Sequence, residues 1–175
     1  MSLISLSWCL VSYLRILRMS LPAKRNMCWP GTVIQFLWRF CIIGSRVMTL
    51  ALFASKFGRF IPWIAAGHSL IMFIWIRTMK TSFCDNPCEE CVYNIVLAIT
   101  YIFCFFNPID SPTRKRYTFY YCLMFIENSI LITLWFRECH PSKWYRFPAF
   151  VGYFIAFFCG IFFMVSSLYI ISYNI

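Results

Sequence analysis

From Phe147 to Tyr173 the chain runs without a single Asp, Glu, Lys, Arg or His. At about 1.5 Å per helical residue such a run reaches roughly 40 Å, more than a bilayer core of about 30 Å requires. A helix apolar on every side must be buried, either in a large protein or in a membrane. Composition decides between the two. Apolar types make up 61% of the 175 residues, charged types 13%, and the mean hydropathy is +0.70. Soluble domains carry roughly 45–50% apolar and about 25% charged residues. Lipid is the solvent that fits this chain, and the expected fold is an all-α, polytopic membrane helical bundle.

Six apolar segments follow one another. Leu3 to Leu14 is too short to span and reads as the tail of a longer helix. Thr32 to Ala54 and Phe60 to Ile76 are span-length, the second containing Pro62 and His68. Cys91 to Phe106 is short and ends at Asn107-Pro108. Tyr117 to Phe136 holds Glu127 near its centre, and Phe147 to Tyr173 is the longest. This gives five or six membrane segments in one integral membrane domain, residues 1–175, with a basic connector at 15–31. Cytoplasmic loops carry the excess of Lys and Arg. If 91–106 spans, nine basic residues fall inside and five outside. If it re-enters, the triplet Arg114, Lys115, Arg116 moves inside and 137–146 moves outside, and the totals are unchanged. Its length and the Asn-Pro end favour a re-entrant helix, which is stable only where protein buries it.

The net charge of +10 points to the anionic leaflet rather than to nucleic acid, because the basic residues sit between apolar segments and no nucleic-acid motif accompanies them. Of ten cysteines, Cys28, Cys84, Cys88 and Cys139 lie in loops, and the rest lie in or beside apolar runs as small hydrophobes. "CDNPCEEC" (residues 84–91) lacks the paired C-x-x-C arms of a structural zinc site. No metal, no cofactor and no catalytic residue is expected: hydrolase, phosphate-loop and zinc-peptidase motifs are missing, and His140 beside Cys139 has no orienting acid beyond Glu138.

The informative charges lie inside the spans. Arg39 and Arg46 are seven residues apart, so on a helix they lie within about 20° of one another and about 10 Å apart along the axis. Thr32 and Gln35 share that strip. One reading has each arginine extending toward its nearer interface. Another pairs one of them with Glu127, which is too deep to reach headgroups and needs a partner to stay ionised. His68 reads as a hydrogen-bonded helix residue. In the last segment Gly152, Ala156 and Gly160 form a small-residue face suited to close helix packing.

Four strings in order, "SLSWCLVSYLRILR" (5–18), "IQFLWRF" with "SRVMTLALFAS" (34–55), "YIFCFFN" (101–107) and "IENSILITLWF" (126–136), resemble the XK-related family, in particular its C-terminal half. The resemblance implies passive phospholipid scrambling at the plasma membrane, exposing phosphatidylserine in apoptosis. It implies a fold of eight spanning and two half-way helices in two related halves. It also implies intramembrane charges that give headgroups a polar route, and on that pattern Arg39, Arg46, Glu127 and Gln35 would line it. Implied partners are phospholipids and a single-pass membrane glycoprotein; a homo-oligomer is the alternative. A family member of half length, without a terminal tail, would be a truncated form that does not scramble unaided. The competing reading is a non-transporting scaffold or partner subunit of a larger complex.

Overall fold

The computed structural model describes residues 2–19, 29–78, 86–105 and 114–173. Among these residues it is all-helical: α1 (Leu3–Met19), α2 (Trp29–Phe57), a 3-10 turn (Gly58–Phe60), α3 (Ile61–Thr78), α4 (Pro87–Thr100), α5 (Arg114–Glu138) and α6 (Arg146–Tyr173). Three stretches are long and apolar enough to cross a membrane: Trp29–Thr78, Lys115–Glu138 and Arg146–Ile170. The first, at 50 residues, is about 75 Å of helix and suffices for two passes of a core about 30 Å thick. It is interrupted by the 3-10 turn, and Pro62 follows at the second position of α3, where a missing N–H costs no helical bond. α1 is longer than its apolar run, because the helix continues through Arg15 to Met19. Its start is capped by Ser2, whose Oγ accepts from the Ser5 N–H at 3.2 Å.

The chain divides into two compact units, Met1–Thr49 with His140–Ile175, and Leu50–Cys139. In the first, α1 lies antiparallel to α2. The Leu3 side chain reaches Gly44, Trp8 meets Phe36 edge-on at 5.9 Å, and the Arg15 guanidinium sits 4.6 Å from the centroid of the Trp29 ring. α6 packs on α2 at Gly160. A Cβ added there would stand 2.7 Å from Ile42 Cδ1 and 3.3 Å from Cys41 Cβ, so a side chain at this position requires Ile42 to shift. Gly152 has open space around it and Ala156 is half-buried. The buried line of α6 runs instead through Tyr153, Phe157, Gly160 and Ser167, a helical repeat that only partly overlaps the small-residue face.

The second unit settles the short segment. Trp75 on α3 stacks near Phe119 on α5 at 4.8 Å, and His68 on α3 reaches Glu127 on α5. Going down α3 by seven residues therefore means going back along α5 by eight, so the two helices are antiparallel. α5 begins on the side where α3 ends. The chain between them makes no net crossing, and α4 is re-entrant. Its own contacts agree: Tyr101 lies level with His68, while Phe105 has returned to Trp75 and Tyr117, with centroids 5.8 and 5.0 Å away. With 14 residues α4 spans only about 21 Å. It stops at Thr100, earlier than the apolar run to Phe106, because the backbone turns at residues 101–103.

The faces of α4 are inverted relative to a soluble helix. Glu90, Asn94, Leu97 and Ala98 are buried, and Val92, Ile95, Val96 and Ile99 are exposed. Apolar residues facing out and polar ones facing protein is the arrangement a lipid environment selects.

Two outcomes are expected. Gly160→Leu lowers stability in detergent by about 1–3 kcal/mol through overpacking. Ile42→Ala restores part of the loss, and Gly152→Leu has no such effect; thermal unfolding followed by fluorescence size-exclusion reads all three. In a cysteine-depleted chain, single cysteines at Thr78 and Lys115 are labelled by an impermeant maleimide from the same side of sealed vesicles, and one at Ser142 from the opposite side.

Candidate functional site

A helix that ends inside a membrane leaves backbone carbonyls without partners and without water. The end of α4 meets this requirement in two ways. Its terminal turn tightens, with N–H groups of Tyr101, Ile102, Phe103 and Cys104 bonding to Leu97, Ile99 and Thr100 carbonyls at 3.0–3.2 Å. The carbonyl of Tyr101 then receives side chains from both neighbouring helices. Tyr120 Oη donates to it at 2.9 Å, and His68 Nε2 lies 3.1 Å from it. The other ring nitrogen, His68 Nδ1, is 2.7 Å from Glu127 Oε2.

Valence fixes most of the protonation. A carbonyl oxygen only accepts, so His68 Nε2 carries a hydrogen and donates. The 2.7 Å contact at Nδ1 then needs one proton between nitrogen and carboxyl oxygen. It resides either on Glu127, with a neutral imidazole, or on His68, with a carboxylate. Both forms leave the pair with zero net charge, the cheapest state for two ionisable groups in a low-dielectric site. His68 is fully buried and Glu127 is 19% exposed. A donor at a helix C-terminus also faces the negative end of the helix dipole.

Aromatic rings close the site. Tyr101, Phe105, Tyr117 and Tyr120 pack with one another, Phe105 stacking on Tyr120 at 5.1 Å, and Trp75 joins Phe105 and Phe119. Such pairs contribute about 0.5–1.5 kcal/mol each beyond their buried area. Elsewhere in the second unit, Phe53, Phe57, Phe60, Trp63, Ile64 and residues 130, 131 and 134 of α5 line a cavity of about 510 Å³. Its walls are entirely hydrocarbon and aromatic, so it suits an apolar occupant.

The first unit holds the arginines. Arg39 and Arg46 are 2% and 0% exposed, so neither side chain runs along the outer surface toward an interface as the snorkelling reading expects. The Arg39 guanidinium stands 4.5 Å from the centroid of the Trp38 ring, a cation–π contact. Thr32 is buried on the same strip, and Gln35 presents a buried Oε1 with no hydrogen-bond partner. Ser7 and Ser167 likewise bury hydroxyls without a partner. Ser45 and Thr49 are self-contained, donating at 2.8 Å to the Ile42 and Ser45 carbonyls of their own helix. Glu127 belongs to the second unit, where its carboxyl meets His68. The centre of the basic connector (20–28), Cys84 and Asn107-Pro108 lie outside the described residues.

Sequence reasoning treated His68 as an isolated hydrogen-bonded residue. It is hydrogen-bonded, but to the one carboxylate in the spans and to the end of the half-helix. Tyr101 and Tyr120 were missed because a tyrosine among many aromatics carries no mark. The spacing of Glu90, Asn94, Leu97 and Tyr101 at intervals of 4, 3 and 4 was the signal available: it places polar groups along one face of a short apolar helix.

Span-length helices, a buried re-entrant segment and charges sequestered from lipid define a polytopic integral membrane protein. Compared with known families, the chain matches the model of the XK-related protein over residues 1–169. It belongs to the XK-related family.

Removing a donor at Tyr101 has a calculable effect. Tyr120→Phe, which deletes one of two donors, lowers stability by about 1 kcal/mol, while His68→Leu, which also removes the contact to Glu127, costs about 2–3 kcal/mol. Chemical or thermal unfolding in matched detergent measures the order, which reverses if the imidazole is not the main cap.

Proposed function

We propose that this membrane protein moves phospholipids passively between leaflets of the plasma membrane and so exposes phosphatidylserine in apoptosis. The observation that carries the reading is the burial of Arg39 and Arg46 within an otherwise apolar helix. Charge placed inside a span is expensive and marks substrate paths more often than it marks structure. With Thr32 and Gln35 on the same strip, α2 offers cationic and amide donors to a phosphate-bearing headgroup, the ligand chemistry that guanidinium groups match best. Separately, in the second unit, the apolar cavity lined by Phe53, Phe57 and Trp63 is suited to a hydrocarbon occupant. Family membership supports the reading, and the mechanism it describes consumes no cofactor or nucleotide: headgroups move down their gradient while acyl tails stay in lipid.

A second reading is favoured by one observation. Glu127, nominated as a path residue, is engaged by His68 at the end of α4. A carboxyl that holds the capping imidazole is structural, which suits a non-transporting scaffold that pairs with a single-pass membrane protein or with another copy of itself.

Reconstitution separates the two. In liposomes with a fluorescent phosphatidylserine, the protein is expected to accelerate dithionite-accessible exchange over protein-free vesicles. Arg46→Ala is expected to slow that exchange at least tenfold while the protein remains folded by size exclusion. Exchange no faster than in empty vesicles assigns this chain to the scaffold reading.

A further inference from the structure

We propose that the apolar cavity of the second unit is a binding site for a long-chain fatty acid. The hydrocarbon chain occupies the cavity, and the carboxylate is held at its mouth by Lys56, Arg59 and Arg137. The site does not depend on whether the protein moves phospholipid.

The walls come from the end of α2, the start of α3 and the last third of α5. Phe53 and Phe57 stack on successive turns of α2 at 4.8 Å, and Phe60 of the 3-10 turn meets Phe57 edge-on at 6.4 Å. Trp63 of α3 and Leu131 and Leu134 of α5 join them. Apart from the Trp63 indole, no lining side chain carries nitrogen or oxygen, so the body of the occupant is hydrocarbon. Volume sets its size. The cavity measures about 510 Å³. If a methylene takes roughly the 30 Å³ of a water molecule in the liquid, about 17 carbons fill it. One acyl chain fits, and the paired chains of a phospholipid need twice the space.

The charge stands at one end of this cavity. Lys56 is in the last turn of α2, Arg59 in the 3-10 turn and Arg137 in the last turn of α5, and all three are exposed. The antiparallel register of α3 and α5 brings them to one level. Seven residues back from His68 is Ile61, and seven on from its partner Glu127 is Leu134, so the turn before Ile61 lies level with the turn of α5 that holds Arg137. Among the described residues none of the three makes an ion pair. Glu138 is the one carboxylate in the segments that build this end, residues 50–64 and 130–138, which leaves an excess of positive charge. The start of α3 adds the positive end of its dipole.

One chain below and cations above define an anionic lipid with a single tail. A fatty acid meets the description with the fewest further demands, because the lining offers no hydroxyl or amide to a glycerol backbone. Its carboxylate suits the planar donor fork of Arg59 or Arg137, and Lys56 adds a point charge. Its orientation in a bilayer, head at the interface and tail toward the centre, is the one in which the cavity and the three basic residues are arranged. The competing account makes the three residues plain interfacial anchors that favour any anionic lipid alike.

The full-length chain in phosphatidylcholine nanodiscs is irradiated with a palmitate that carries a diazirine in its tail, and labelled peptides are located by mass spectrometry. Labelling is expected to saturate on the lining of α2, α3 and α5. Unlabelled palmitate is expected to compete at least tenfold more strongly than its methyl ester, which keeps the chain and loses the charge, and more strongly than diacyl phosphatidylserine. Lys56→Glu combined with Arg59→Glu is expected to raise the half-competing palmitate concentration at least tenfold. Leu134→Trp, at a partly exposed wall position with room for a larger ring, is expected to remove the labelling. Labelling that does not saturate overturns the site. Equal competition by the methyl ester overturns the carboxylate's role, and equal competition by phosphatidylserine assigns the three residues to interfacial anchoring. Should either variant fail to fold, the three competitors on the wild-type chain decide the matter by themselves.

Discussion

A carbonyl oxygen in the interior of a membrane must find a donor, and the oxygen of Tyr101 finds two. Much of the second unit is arranged to make that possible. α3 brings an imidazole, α5 brings a phenol, and the turn after Thr100 points the oxygen between them. Without such donors a 14-residue apolar helix has no reason to stop at mid-depth; it would lengthen, cross, or lie flat at the interface. The cap therefore does more than stabilise α4. It fixes where α5 starts, and hence the sidedness of everything that follows it.

This dependence explains why so many ring contacts crowd one short stretch. A lone hydrogen bond between membrane helices averages only about 0.6 kcal/mol in measured cases, since partners can be found elsewhere. Phe105, Tyr117, Tyr120 and Trp75 add area and shape to a site that polarity alone would hold loosely. Packing keeps the donors in place, and the donors make the packing specific. The close approach at Gly160 performs the corresponding service in the first unit, where hydrocarbon against hydrocarbon offers no gain over lipid and only fit distinguishes partners.

Length and hydropathy alone were enough to read the spans, and α2, α3, α5 and α6 fall within a few residues of the apolar runs that announce them. Charge could not decide whether 91–106 crosses, since moving three basic residues in and another group out leaves the Lys and Arg totals equal; only its length and Asn-Pro end pointed to re-entry. Tertiary contact resolves it: Trp75 against Phe119 is a statement about two helices that no one-dimensional count contains. The same limit hid the contact between Glu127 and His68. A deep carboxylate announces that it needs a partner, and arginine was the obvious candidate by charge. His68 was overlooked because a neutral-looking residue in a greasy segment carries no formal charge to be matched, yet it alone can donate to a backbone oxygen from one nitrogen while sharing a proton from the other.

Each unit buries polar groups. In the second, each polar group of the α4 end is tied to a named neighbour, and the atoms balance with one proton to spare between His68 and Glu127. In the first, Gln35, Ser7 and Ser167 bury polar atoms that no hydrogen bond of the described residues satisfies. Leaving such an atom unsatisfied costs about 1–3 kcal/mol, a cost that folding alone gives no reason to accept three times over. The site that is closed by its own side chains is suited to holding a shape. On α2, Gln35 keeps a buried acceptor on the same strip as the buried Arg39 and Arg46, and that strip is where the proposed headgroup path would run.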